Sequence, residues 1–385
     1  MIRGNWNYPT SVRFGAGRVA ELPNACRELG FQRPLVVTDR GMRDLPIVAE
    51  VMGILRSAGL EAGLFADVQG NPVGANVDAG VAAFKAGGHD GVVAFGGGSA
   101  LDVAKAVALM VGQTRPLWDF EDREDWWTRI DPNGMVPVVA VPTTSGTGSE
   151  VGRASVIVDE DTHAKKIIFH PKMLPGKVIC DPALTVGLPA KITAATGMDA
   201  FSHCLEAYCA PGFHPMADGI AVEGIRLVHR ALETAVADGA DIPARSYMMA
   251  ASAMGATAFQ KGLGGMHALS HPIGAHLNAH HGLTNAVVMP YVLVANREAI
   301  GGRIGDLARA IGLAQADFNG FLAWVLDLRA KIGIPHTAES LGLTEAHIAT
   351  IAAEARLDPS HGGNPIDLSQ AQYEDILRRS LSGEV

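Results

Sequence analysis

Gly91-Val92-Val93-Ala94-Phe95-Gly96-Gly97-Gly98-Ser99 is a run of apolar, β-type residues that stops abruptly in glycines, and Leu101 to Val111 beyond it carries helical spacing. Strand, glycine turn and helix together form the unit from which parallel sheets are wound. The same texture recurs on either side. Pro34 to Asp39, Met135 to Pro142 and Lys177 to Asp181 read as further buried strands, the glycine run following what counts as the third strand of the series. Ile47 to Ala58 and Val77 to Ala86 read as amphipathic helices between them. Such alternation implies crossover connections and a mostly parallel sheet. Past Asp181-Pro182 the texture changes to alanine-rich, helix-length segments, with Gly301-Gly302 and Gly362-Gly363 reading as turns. Val287 to Leu293 is β-type there but too short and isolated to count as a strand. The expectation is an α/β dinucleotide-binding domain over residues 1–188 and an all-α domain over 189–385, Pro189 opening its first helix.

The glycine run suits an anion. Glycine lets backbone N–H groups approach closely, and the start of the following helix adds a favourable dipole. It is not the GxGxxG fingerprint, because Leu101 stands where the last glycine would be. By itself it reads equally as a tight strand-to-helix turn. A second polar loop, Thr143-Thr144-Ser145-Gly146-Thr147-Gly148-Ser149-Glu150, also follows a buried strand and offers many donors while staying narrow. Two such loops ending two strands favour a dinucleotide over two ordinary turns. Asp39 closes the first strand of the series, where a carboxylate accepts from an adenosine ribose and repels a 2′-phosphate, favouring NAD over NADP. Arg40 beside it leaves NADP open.

Histidine is the most informative residue type. Of 14 histidines, His267, His271, His276, His280 and His281 crowd into 15 positions, where an even spread would put about half of one. Upstream, Asp199 and His203 stand four apart in a helical segment, so carboxylate and imidazole share a face. Imidazoles with a carboxylate and no thiolate suit Fe²⁺ or Zn²⁺ rather than Mg²⁺ or Ca²⁺. Pro272 disfavours a straight helix through His271, placing His267 and His271 at a helix end or kink. Cys204 and Cys209 read as core residues.

The 385 residues include 48% hydrophobic and 18% charged residues, which excludes a disordered or fibrous chain. A formal net charge of −9 argues against nucleic acid or an anionic membrane as partner. No run of 18 apolar residues suggests a spanning helix. Met1 to Pro9 lacks the apolar core of a secretory leader, and four cysteines show no CxxC pair or disulfide-dense pattern. These point to a cytoplasmic protein.

Taken with their neighbours, these motifs resemble the iron-containing, group III alcohol dehydrogenase family over nearly the whole chain. The resemblance runs through Pro9 to Gly17, Asp39, Asn71-Pro72, Gly96 to Ser99 with Asp102 and Lys105, and Pro142 to Glu150. It continues in Gly197-Met198-Asp199-Ala200-Phe201-Ser202-His203 and, most specifically, in Gly265 to Gly274 running on to His281-Gly282. It implies a dehydroquinate-synthase-like fold and metal ligands at Asp199, His203, His267 and His281. It further implies His271 beside metal and nicotinamide without being a ligand, and a near-neutral imidazole there suits either proton relay or positioning of the nicotinamide. Gly97, Gly98 and Ser99 would meet the pyrophosphate, Thr143 and Thr144 the adenosine side, Asp39 the ribose, and Asp102 and Lys166 the nicotinamide end. A homodimer is common in that family. Two features depart from its pattern. Ile366 follows Asn364-Pro365 where many relatives carry arginine, with His361 just upstream near the implied substrate pocket. The aromatic, acidic segment from Trp118 through Trp126-Trp127 has no evident counterpart.

The expected reaction is reversible hydride transfer between a small primary alcohol and NAD(H), supported by Fe²⁺ or Zn²⁺. Other readings are a phosphate-substrate enzyme on the same fold, such as a glycerol-phosphate dehydrogenase or a sugar-phosphate cyclising lyase, or a metal-dependent hydrolase. The former needs a basic cluster beside His267 to His281, where Lys261 is the one nearby candidate; the latter should ignore NADH. An iron-storage or scaffold role would leave both polar loops unexplained.

Overall fold

The computed structural model describes residues 10–162 and 164–385. Met1 to Pro9, read above for a leader and for the start of the resemblance, lie outside them. In chain order the first elements are β1 (Ser11–Phe14), α1 (Leu22–Glu28), β2 (Pro34–Asp39), α2 (Pro46–Ser57), β3 (Gly63–Val68), α3 (Gly74–Ala86) and β4 (Gly91–Gly96). There follow α4 (Gly98–Met110), β5 (Val138–Pro142), β6 (Ala154–Val158), β7 (Lys165–Phe169) and β8 (Lys177–Cys180). Residues 10–144 and 148–186 form one compact unit, and 145–147 with 187–385 a second.

In the first unit six strands run parallel in the order β1-β8-β5-β4-β2-β3, and β6 pairs antiparallel with β7. The central strands are apolar on both faces because both are covered. Val36, Val93, Phe95, Val139, Val141 and Ile179 pack under α1 and α2, through Leu22, Cys26, Val51 and Leu55. The helix α4 packs on β2, β4 and β5, with α3 beside it. The chain runs from β2 out to β3 and returns to β4 on the other side of β2. That reversal is a topological switch point, where an open α/β sheet leaves a crevice at the carboxyl ends of its strands.

The glycine run therefore follows the fourth strand, not the third. Neither β1, a largely exposed edge, nor β3, which carries Asp67, presents a continuous apolar run.

The second unit comprises α5 (Ala190–Cys209), α6 (Pro215–Ala237), α7 (Ile242–Ala258), α8 (Gly265–Leu277), α9 (His281–Ala295), α10 (Arg297–Ala310), α11 (Phe318–Lys331), α12 (Glu345–Leu357) and α13 (Gln370–Ser382). Every residue of α5 from Thr193 to Cys209 is buried, and α6, α7 and α9 pack around it. A helix enclosed on all sides is a central one. It carries Asp199 and His203 into the interior of the helical unit.

Two expectations need correction here, and one run left unassigned finds its place. Gly301-Gly302 is not a turn but lies within α10, whose face of Ile300, Ile304, Leu307 and Ala308 is buried and holds the helix together. Val287 to Leu293 is helical, part of α9, because its side chains are covered all round. Pro272 neither ends nor starts a helix: α8 runs through it, and burial of its neighbours Ala268, Leu269, Ile273 and Gly274 offsets the missing backbone bond. Among the described residues no helix is long and apolar enough to cross a membrane.

Candidate functional site

Two groups of residues stand out, one in each unit. In the first, the ends of β2, β4 and β5 lie side by side. Gly96 has φ +147°, and a Cβ there would come within 2.7 Å of the Ala100 Cβ and 3.4 Å of Asp39 Oδ2. The turn thus requires glycine and brings the Asp39 carboxylate against it. Gly97 caps α4, so the first amides of Gly98 and Ser99 have no intrahelical carbonyl to bond. Thr144 borders Gly97, and Thr143 N–H donates to Gly96 O at 2.9 Å, joining the two polar loops. Asp39 Oδ1 accepts from the Met42 amide at 3.1 Å, while burial pushes its carboxyl above the ordinary range. Arg40, which left NADP open, is paired with Asp67 at 2.7 Å, and Arg43 reaches the same carboxylate at 3.4 Å.

Asp102 and Lys105 tie the second loop down from α4. Asp102 accepts from Ser149 Oγ at 2.6 Å and from the Val156 amide at 3.0 Å. The buried Lys105 ammonium donates to Ser149 O at 3.0 Å and to Ala154 O. Glu150 on that loop is fully enclosed, and burial pushes its carboxyl up to about 7. Lys166, on β7, is held at 2.5 Å by Asp159 and lies over the Trp118 ring at 5.2 Å. Of the expected loop residues, Ser145 to Thr147 group with the helical unit, a Cβ on Gly146 falling 2.8 Å from Thr196.

In the helical unit, Asp199 and His203 on α5, His267 on α8 and His281 at the start of α9 converge. One ligand atom from each lies within 4.8 Å of the others, and the first three residues are buried. Asp199 Oδ1 is 3.6 Å from His281 Nε2 and 4.0 Å from His203 Nε2. The His203 and His267 rings stack at 4.8 Å between centroids. The Asn285 amide nitrogen sits among them, 3.0 Å from Asp199 Oδ1, 3.2 Å from His267 Nε2 and 3.3 Å from His281 Nε2.

The group fits a divalent transition metal. Bonds of roughly 2.0–2.2 Å span up to about 4.4 Å between opposite ligands, so small side-chain rotations close the observed spread. Burial holds the His267 imidazole far below its ordinary pKa and hence neutral, as a ligand must be.

Around these four residues stand partners that the sequence reading did not single out. Glu206 accepts from His267 Nδ1 at 2.6 Å, and Ser270 Oγ lies 3.2 Å from His281 Nδ1. Burial pushes the Glu206 carboxyl up to about 7, against the lowering pull of hydrogen bonds from the Gly264 and Met266 amides. His271 stacks on His281 at 5.5 Å and is bonded through Nδ1 to Asp358 Oδ2 at 2.8 Å. Burial raises the Asp358 carboxyl, but the charge and hydrogen bond of His271 outweigh it, leaving the group below its ordinary value. The spacing Asp199, His203, Glu206 on one helix face and His281, Asn285 on another would have pointed to two of these. Nothing in local spacing points to Asp358, 87 residues from His271.

The remaining residues of interest sit elsewhere. His276 pairs with Glu354 at 2.9 Å and is exposed, and His280 caps α9. Lys261 is taken by Asp218 at 2.6 Å. His361 is bonded to Tyr373 Oη and Asp367 at 2.9 Å each. Asn364 caps α8 through the Gly265 amide, and Ile366, in place of arginine, packs on the helical core. In the aromatic segment, Arg129 stacks on Trp126 at 4.0 Å. Cys204 and Cys209 are buried and unpaired, as expected.

Comparison with known proteins bears on both groups together. Residues 9–182 match the family model of iron-containing alcohol dehydrogenase, and residues 193–381 match the C-terminal model of the Fe-containing alcohol dehydrogenase family. The chain is 40% identical to 4-hydroxybutyrate dehydrogenase of Cupriavidus necator, over 97% of this chain and 99% of that one. It resembles the crystal structure of a 1,3-propanediol oxidoreductase at TM-score 0.93 and 34% identity, over 98% of this chain and all of the other. A sulfoacetaldehyde reductase from Bifidobacterium kashiwanohense, solved in complex with NAD⁺, matches at TM-score 0.90 and 30% identity, over 99% of this chain and all of that one. The parallel α/β unit and the helical unit are those of these neighbours, and the chain belongs to the iron-containing alcohol dehydrogenase family.

Proposed function

We propose that this chain is a metal-dependent alcohol dehydrogenase and aldehyde reductase that interconverts a small primary alcohol and its aldehyde with NAD(H). The observation that carries the reading is the convergence of Asp199, His203, His267 and His281 within 4.8 Å, the first three buried. Fe²⁺ or Zn²⁺ held by these residues would supply Lewis acidity toward an alcohol or carbonyl oxygen. NAD would supply the hydride acceptor.

The chain's own residues do the rest. Asn285 and Ser270 hold Asp199 and His281 in place. Asp358 accepts from His271 Nδ1, which leaves Nε2 as the ring atom that takes up or releases the proton of the alcohol. Gly97, Gly98 and Ser99 offer amides to a pyrophosphate, with Thr143 and Thr144 beside the adenosine. Asp39 accepts from ribose hydroxyls and opposes a 2′-phosphate, and the pairing of Arg40 with Asp67 supports the NAD preference. Asp102 keeps the second loop in register with the first, and Lys166 is assigned with it to the nicotinamide end. Relatives that act on 4-hydroxybutyrate, 1,3-propanediol and sulfoacetaldehyde support a short substrate with a polar far end. Four buried, unpaired cysteines fit a reducing cytoplasm.

The test is NADH oxidation with short ω-hydroxy and ω-carboxy aldehydes after anaerobic reconstitution with Fe²⁺ or Zn²⁺. One metal per chain and turnover are expected. His267→Ala should lose both while still binding NADH, read as a shift in the cofactor's fluorescence. Failure of the unmodified chain to take up metal stoichiometrically, or full activity of His267→Ala, overturns the reading.

A further inference from the structure

Glu206 lies seven residues after Asp199 and three after His203, on the same face of α5. Its carboxylate is almost fully enclosed and accepts from three donors. Oε1 takes the Met266 amide at 2.6 Å; Oε2 takes the Gly264 amide at 2.9 Å and His267 Nδ1 at 2.6 Å. No cation contacts it in the described structure; all three donors come from the first residues of α8 and the residue that caps it. An enclosed carboxylate with one helix start and one imidazole as its partners is not explained by helix capping alone. Asn364 already performs that task for the neighbouring Gly265 amide at 3.0 Å.

We infer that Glu206 is a positioning residue that sets the tautomer and ring orientation of His267 and thereby the affinity of the metal site. The inference rests on the reading of that site given above. With Glu206 ionised, the bond between them requires the proton on Nδ1, which leaves the Nε2 lone pair on the side of Asp199, His203 and His281. It also locks the ring, because turning the imidazole about its bond to Cβ breaks the contact. A carboxylate behind a ligating imidazole further raises the basicity of the ligand, and loss of such a partner typically weakens metal binding 10- to 100-fold.

Glutamine at this position replaces one acceptor oxygen with an NH₂ group that also points at a donor. Either the Met266 amide loses its acceptor, or the imidazole must move its proton to Nε2, into the space a metal needs. Asn364→Ala is the matching control, since it removes the other acceptor at the start of α8 and leaves His267 untouched.

The experiment measures Zn²⁺ affinity by chelator competition and the visible spectrum of the Co²⁺-loaded protein, for the unmodified chain, Glu206→Gln and Asn364→Ala. Expected are Zn²⁺ binding weakened roughly 10- to 100-fold and altered Co²⁺ bands for Glu206→Gln. Asn364→Ala should lose thermal stability yet keep Zn²⁺ affinity within about twofold, since His267 keeps its Glu206 partner. Equal Zn²⁺ affinity in Glu206→Gln, or equal weakening in Asn364→Ala, overturns the assignment. A second measurement needs no variant: ¹⁵N shifts of histidine in the metal-free chain should report His267 protonated at Nδ1, and protonation at Nε2 refutes the inference. An unmodified chain that takes up no Zn²⁺ overturns the site itself, a result distinct from a wild-type site that is indifferent to Glu206.

Discussion

Replacing Gly282 with alanine should damage the proposed metal site without substituting any of its four residues. A Cβ at Gly282 would stand 2.4 Å from Ala195 O and 2.9 Å from Asp199 Cβ. Ordinary contact begins near 3.4 Å, so the first turn of α9 must retreat from α5 by about 1 Å. That turn begins with His281, and α5 carries Asp199, whose Oδ1 is 3.6 Å from His281 Nε2. Metal–ligand distances must hold to about 0.2 Å, so a backbone shift five times larger strains the side chains that would share one ion. Overpacking of this kind costs about 1–3 kcal/mol, and a clash with rigid backbone belongs at the upper end. Alanine's better helix propensity returns up to about 1 kcal/mol, leaving a net loss of about 2 kcal/mol. Gly301→Ala is the control: nothing lies within 4 Å of its Cβ, and it should gain about 0.5–1 kcal/mol. Urea unfolding gives the stabilities, and Zn²⁺ content after dialysis gives the occupancy. A Gly282→Ala protein within about 0.5 kcal/mol of the unmodified chain, and holding a full equivalent of Zn²⁺, would refute the packing argument.

Two further outcomes concern the α/β unit. Burial raises Glu150 from 4.5 to about 7, so its contribution to stability is fully present below pH 4.5 and is lost as pH rises through about 7. Glu150→Gln should therefore gain on the unmodified chain across that window by up to roughly 3 kcal/mol, and parallel unfolding profiles from pH 5 to 8 would contradict this. Asp67→Ala frees Arg40 and Arg43, and should raise kcat/KM for NADP relative to NAD a few-fold. An unchanged ratio would show that neither guanidinium reaches the cofactor.

The chain itself settled the elements whose physics is local. Pro34 to Asp39 and Gly91 to Gly96 are readable because strands covered on both faces are continuous apolar runs, and the glycines after Phe95 mark where the chain must turn tightly. The ligand candidates were readable because Asp199 and His203 repeat at helical spacing and the later histidines are crowded beyond chance. Local rules failed where packing outweighed propensity. Pro272 and Gly301-Gly302 look like breaks, yet buried apolar neighbours carry α8 and α10 through them. Folding alone decided which partners stand behind the ligands. Glu206 meets His267 across 61 residues and Asp358 meets His271 across 87, and no periodicity encodes such distances. The reason is physical: a helix period reports which residues share a face, while the identity of what that face meets depends on how the whole bundle closes around α5.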